Sequence, residues 1–430
     1  MRCRHNFSRR GFLRGLAGGG AAALIAGRSA RAARVGVQDL SAVFRVEGCP
    51  IHDGELRHVG VDAMLHILGS NGVKLYRSDA PHPWAGPEGI IEADDVVLVK
   101  VNCQWKCRGT TNTDVLRGFI HRVLQHPEGF RGEVVIIENG QGRGAFDGIS
   151  IENLDWYGDW PEVATEVVVN AEEERTLTIE YLVNTVFADQ PVSAYLLDRI
   201  RSTFITAGDH QTDGYRIATP PVGTSPASPV SYPCFTTAGG RRIELRQGVW
   251  TGTGYADDVK LINMPVLKHH EGCGFTGALK HAYGILTMSD GQSRVRHYGE
   301  IGSQCGKVWS LVRTADLNIL DCIWVSHESL TGYPPDTTRR CDVLLAGLDP
   351  VALDYYASKH VLLPLGGRYA SRHDPDSSFE ASSMLTGAQS YMNSSGGIGG
   401  VPTRLGEDRI EVVSRRAVET RVPRRLIRKS

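Results

Sequence analysis

Past its first thirty residues the 430-residue chain has no stretch that approaches the roughly 18 consecutive apolar residues needed to cross a bilayer. Nine cysteines are present, yet none forms a C-x-x-C pair. Their scatter excludes a dense disulfide framework and the spacing of a zinc ribbon. An excess of charge is also missing: 47 basic residues stand against 48 acidic ones. That balance excludes a general nucleic-acid binder, and the basic end from Arg421 to Lys429 reads as a solvated tail. There is no internal repeat. A glycine-rich turn, Gly140-Gln141-Gly142-Arg143-Gly144, lacks both the Lys-Ser/Thr of a P-loop and the full dinucleotide pattern, so it reads as a tight turn.

What is present begins at the N-terminus. Ser8-Arg9-Arg10-Gly11-Phe12-Leu13 is followed by a Gly/Ala-rich apolar stretch from Leu16 to Gly27 and by Ala30-Arg31-Ala32. This order reads as a cleavable twin-arginine signal peptide over residues 1–32, with the twin-arginine translocase as a partner and a periplasmic or extracellular destination. The segment takes seven arginines and no acid with it, which leaves 40 basic and 48 acidic residues and a formal charge of −8. Residues 33–430 are then expected to form one α/β domain.

The expected fold is an open, mostly parallel sheet flanked by helices, with a large irregular insertion. Val96-Val97-Leu98-Val99-Lys100-Val101 reads as a buried parallel strand. Thr113 to Leu124 carries helical periodicity, with Thr113 as its N-cap, and Val134 to Ile137 reads as the next strand. Val259 to Asn263, Leu317 to Ile323 and Val343 to Ala346 continue the pattern, and a helix starts near Val351. The core spans about residues 94–362. Residues 141–256 read as the insertion, with one helix near Val192 to Thr203, and residues 365–405 read as loop.

Ligands in open α/β sheets bind outside the carboxyl ends of the strands, and polar residues collect there in this sequence. Lys100 interrupts an apolar run, where a lone ammonium is costly to bury. Asn102, Thr111, Glu138, Asn263, Thr276 and Asp349 join it as ligand-binding candidates. Lys268, His270, Lys280 and His281 are the catalytic candidates: the lysines would offer charge to a carboxylate or an oxyanion, and the histidines would act as acid and base. His269, His270 and Cys273, completed by Cys103 and Cys107, have residue types suited to a metal ion.

Asn263-Met264-Pro265-Val266-Leu267-Lys268-His269-His270 and Thr276-Gly277-Ala278-Leu279-Lys280-His281-Ala282-Tyr283-Gly284 resemble the signature of the DUF362 family. Val97 to Asn102 and Asp349 to Asp354 resemble it too, so the resemblance runs over about residues 94–362. Many members of that family are described as iron–sulfur proteins with ferredoxin-type modules. This chain has no C-x-x-C-x-x-C run, so no ferredoxin-type iron–sulfur cluster is implied. Two further departures stand out. Lys280-His281 occupies the usual lysine–asparagine pair, and Thr111-Asn112-Thr113 occupies a usual threonine–proline step. Three functions stay open: a redox or metal-assisted enzyme acting on a small anionic or carbonyl substrate, a non-catalytic periplasmic binder of a small anionic ligand, and a racemase or isomerase with a lysine/histidine cofactor site. The residues name no cofactor beyond a metal ion.

Overall fold

The computed structural model describes residues 40–49, 56–104, 107–139, 170–172, 178–201, 203–287 and 299–417. The twin-arginine segment and the turn at Gly140 to Gly144 lie outside the described residues.

In chain order the principal elements begin with β1 (Ser41–Glu47), α1 (Val59–Ser70), β2 (Val96–Val101), α2 (Thr113–Leu124) and β3 (Glu133–Glu138). Next come β4 (Val192–Leu196), β5 (Gly214–Ala218), β6 (Val230–Thr236), β7 (Arg242–Glu244), β8 (Gly248–Trp250) and β9 (Tyr255–Ala256). Then follow β10 (Val259–Met264), β11 (Val266–His270), β12 (Gly274–Thr276), α3 (Ile301–Leu311), β13 (Leu317–Ser326) and β14 (Thr338–Gly347). The last are α4 (Pro350–Ala357), α5 (Phe379–Ser394) and β15 (Ile410–Arg416).

The main sheet has ten strands in the order β15-β1-β14-β13-β10-β2-β3-β4, and the β11–β12 hairpin joins it through β13. Along that path only the two ladders of β14, with β1 and with β13, are antiparallel. The sheet is therefore mostly parallel, flanked by helices. Strands buried on both faces need apolar residues at most positions, and that is why β2, β3 and β10 read as mainly apolar runs broken by single polar residues. Val96 and Leu98 face one core, and Val97, Val99 and Val101 face the other. Burying each such side chain fully is worth about 1.5–3 kcal/mol. β5 to β9 form a separate five-stranded antiparallel sheet.

Three local expectations are corrected. Val192 to Thr203 is not a helix: Val192–Leu196 pairs in parallel with β3, and only Leu197–Arg199 turns as a short 3-10 helix. Alternation in Val-Ser-Ala-Tyr-Leu suits a strand, and an available sheet edge decides the matter. Residues 365–405 are not all loop, because α5 runs for 16 residues with Ala381, Met384, Leu385, Ala388, Tyr391 and Met392 buried. Ser378 caps it by accepting from the amide of Ala381 at 2.9 Å. The N-cap of α2 is Asn112 rather than Thr113, its Oδ1 accepting from Asp114 and Val115.

Candidate functional site

Three adjacent parallel strands, β3, β2 and β10, bring Glu138, Lys100 and Asn263 to their carboxyl ends, with Asn263 and Lys100 directly in register. Lys100 is fully buried. Its Nζ donates to Glu138 Oε1 at 2.9 Å and to the Val101 carbonyl at 2.8 Å, and it meets His281 Nε2 at 3.0 Å. An ammonium has three donors and no acceptor, so His281 Nε2 accepts and Nδ1 carries the ring proton. That proton goes to Asn263 Oδ1 at 2.6 Å. The Asn263 amide donates in turn to Asn318 Oδ1 at 2.8 Å and to the Ala278 carbonyl at 3.0 Å, and Asn318 donates to the Gly347 carbonyl at 3.1 Å. Each of these side-chain donors, from Lys100 to Asn318, finds an acceptor with a single tautomer of His281. Burial and the Lys100 charge hold the His281 pKa well below its ordinary value, so the ring is neutral. Burial also pushes Glu138 up and Lys100 down, each opposed by the other's charge. Glu138 accepts further bonds from the amides of Asn139 and Cys103.

The segment from Gly277 to Ile285 crosses these strand ends, and two glycines let it come close. A Cβ on Gly284 would lie 2.3 Å from both Lys100 Nζ and Glu138 Oε1. A Cβ on Gly277 would lie 2.3 Å from Asp354 Oδ1. Asp354, on α4, accepts from the amides of Ala278 and Leu279 at 2.6 and 2.9 Å, and burial raises its pKa to about 7.

Beside this satisfied network lies a second group with spare capacity. Lys268 sits on β11, buried, and its Nζ donates to the Gly109 carbonyl. No carboxylate pairs with it among the described residues. Burial first, then the charge of Lys280, lowers its pKa to about 7. Directly across the β11–β12 ladder stands Thr276, so the two side chains share one face of the sheet. The buried Thr276 hydroxyl has no hydrogen-bond partner among the described residues. Lys280 follows on the crossing segment, buried, with its Nζ 5.4 Å from the centre of the Tyr283 ring. Burial lowers its pKa as well.

The other expected ligand residues hold the frame. Thr111 Oγ1 donates to the Met264 carbonyl at 2.7 Å and accepts from the Asn102 amide at 2.8 Å, while Asn102 Oδ1 accepts from the Val266 amide at 3.0 Å. Together they pin the loop after β2 to the junction of β10 and β11. Asp349 caps α4 and accepts from Ser41 and from the amide of Arg404, so its oxygens are occupied.

The expected metal ligands are dispersed. Among the described residues no group of three or more His, Cys, Asp or Glu side chains stands where it could hold a metal ion. His269 Nδ1 lies 2.9 Å from His373 Nε2, and its ring stacks on Tyr369 at 4.2 Å. Burial lowers the two histidines to about 4 and about 3, so both are neutral near pH 7. His270 Nδ1 accepts from the Gly272 amide at 3.0 Å. Cys273 Sγ donates to the Phe275 carbonyl and Cys107 Sγ to the Thr331 carbonyl. Cys103 is buried near Lys100, and no disulfide joins any of the eight described cysteines. The reason is geometric. Successive residues of a strand point to opposite faces, so His269 and His270 cannot turn to one metal ion.

Sequence reasoning missed Asn318 and His373. Asn318 announces itself as Lys100 does, by interrupting an apolar strand. His373 lies in the segment read as loop and carries no such signal.

The fold and this lysine-rich site at the strand ends define an α/β protein whose polar centre is assembled from three parallel strands and one crossing segment. Residues 242–359 match the family model described as Domain of unknown function (DUF362). That match covers β7 to α4 and so contains Asn263, Lys268, Thr276, Lys280, His281, Asn318 and Asp354. No curated protein and no solved structure matches the chain.

Proposed function

We propose that the protein is an enzyme acting on a small carboxylate with an adjacent carbonyl group, by acid–base chemistry at the lysine cluster. One observation carries this reading. Three buried lysines, Lys100, Lys268 and Lys280, stand at one end of the sheet, and only Lys100 has a carboxylate partner among the described residues. Uncompensated buried ammonium groups are costly, so the arrangement favours either loss of a proton or binding of an anion. Lys268 takes the first course and Lys280 is suited to the second. Lys280 would neutralise the substrate carboxylate or a developing oxyanion, and Lys268, with a pKa of about 7, would exchange a proton at the neighbouring carbon. Lys100, Glu138, His281 and Asn263 would act as positioning residues that fix the floor of the site.

Incubation of the mature protein with 2-oxo and 2-hydroxy carboxylates in heavy water tests this. Exchange of the hydrogen next to the carbonyl, lost in Lys268→Ala, is expected. A rise in melting temperature with no exchange would favour the non-catalytic anion binder. If no anion raises the melting temperature, the reading fails.

Export by the twin-arginine pathway to the periplasm or beyond is part of the same proposal. It is supported by Arg9-Arg10, the Gly/Ala-rich stretch and Ala30-Arg31-Ala32.

A further inference from the structure

We infer that Lys268 is an imine-forming amine, and that it takes the carbonyl carbon of a small 2-oxo acid whose carboxylate is held by Thr276 and Lys280. This rests on the small-carboxylate reading above and narrows it to one substrate class.

Two independent observations meet here. The first is the position of Lys268. Among the described residues its one hydrogen-bond partner is a neutral carbonyl, that of Gly109, and a second cation lies within electrostatic reach. An amine in that setting gives one N–H to Gly109 and keeps its lone pair, which is the state an amine needs to attack carbon. Glu138 lies within reach of its field but hydrogen-bonds to Lys100. The second observation is Thr276. A buried hydroxyl without a partner is unfavourable, and native structures satisfy such groups with few exceptions. Because Thr276 is in cross-strand register with Lys268, a ligand bonded to that hydroxyl lies beside the amine. Lys280, four residues further on, has no hydrogen-bond partner among the described residues and supplies the charge that a carboxylate requires.

The step balances without an added oxidant or reductant. The Lys268 nitrogen forms a bond to the carbonyl carbon, and the π pair of that carbonyl takes a proton from the Lys280 ammonium. The nitrogen proton released in the attack returns to Lys280. Loss of the hydroxyl as water, with a second proton from Lys280, leaves an iminium on Lys268. Its positive charge acidifies the neighbouring carbon.

The test uses the full mature protein, pyruvate as the probe and sodium cyanoborohydride as the trap, followed by peptide mass mapping. The expected result is a covalent adduct on Lys268, of the mass of pyruvate less one oxygen atom. It should form fastest in the wild type and be absent from that position in Lys268→Arg. Thr276→Val removes a hydroxyl that has no hydrogen-bond partner among the described residues, so it should fold with an equal or higher melting temperature. It should label about ten-fold more slowly, as expected for one lost hydrogen bond to a charged ligand. Labelling confined to other lysines, or equal rates in Thr276→Val and wild type, would overturn the inference. If pyruvate raises the melting temperature in a Lys280-dependent way and no adduct forms on Lys268, the imine is wrong and the anion site stands. If neither occurs, both fall.

Discussion

Lys268 and Lys100 are both buried lysines at the carboxyl ends of strands, yet their surroundings give them opposite characters. Lys100 has a carboxylate at 2.9 Å and a complete set of acceptors. Lys268 has one carbonyl and a neighbouring cation, and its pKa drops from 10.5 to about 7. The sign of the resulting pH dependence follows from linkage. Between about pH 7 and 10.5 the unfolded chain binds a proton at this lysine that the folded chain has released. Stability from this group therefore grows as pH rises through that window and is lost as pH falls through 7. Lys268→Met removes the slope. Melting curves of the two proteins from pH 6 to 10 should show the variant relatively most stable at the acid end, with the gap narrowing toward pH 10. A gap of constant size would show that Lys268 keeps its ordinary affinity for protons.

At the scale of elements, the site depends on how closely the Gly277 to Ile285 segment approaches β2 and β3. Gly284→Ala would push a methyl group to 2.3 Å from both members of the Lys100–Glu138 pair. Overpacking of this kind typically costs about 1–3 kcal/mol, and displacement of a buried ion pair adds to it. Urea unfolding should show a loss of at least about 2 kcal/mol, and a change below half of that would mean the segment can shift without harm. The apolar strands of this region were legible in the sequence because burial on both faces leaves a Val/Ile/Leu-rich run without polar alternation. β4 was harder to read, since Leu196, Leu197 and Ile200 also fit a helical spacing. α5 was hidden because Ser, Gly and Gln dilute a stripe that only tertiary packing against α3 completes: a Cβ on Gly302 of α3 would lie 2.2 Å from the Met384 carbonyl. Within the site, the residue types at Lys100, Lys268, Thr276 and Lys280 could be seen in advance. The division between satisfied and unsatisfied groups could not, because it depends on Asn318 and on which nitrogen of His281 is bonded to Lys100. The metal expectation likewise rested on residue types alone, and the strand at Val266–His270 sends His269 and His270 to opposite faces.

For the whole molecule, the proposed route of export makes a direct prediction. Replacing Arg9 and Arg10 with lysine should strongly reduce the mature periplasmic fraction in a bacterial host, measured by fractionation and N-terminal sequencing. Undiminished export, or an exported chain that keeps residues 1–32, would remove the proposal. The strand order adds a kinetic dimension. β1 lies between β14 and β15, with Ser41 beside Ile410 and Phe44 beside Ala346. The earliest of the described strands thus has both of its partners among the last of them to be made. Contacts between such distant segments are slow to form, although the entropy of closing so long a loop rises only gently with its length. β1 therefore has no partner until β14 has been made, and its second side stays open until β15 follows. Until Ile410–Arg416 has been made, β1 therefore presents one open row of backbone donors and acceptors, and pairing with β15 is what covers it.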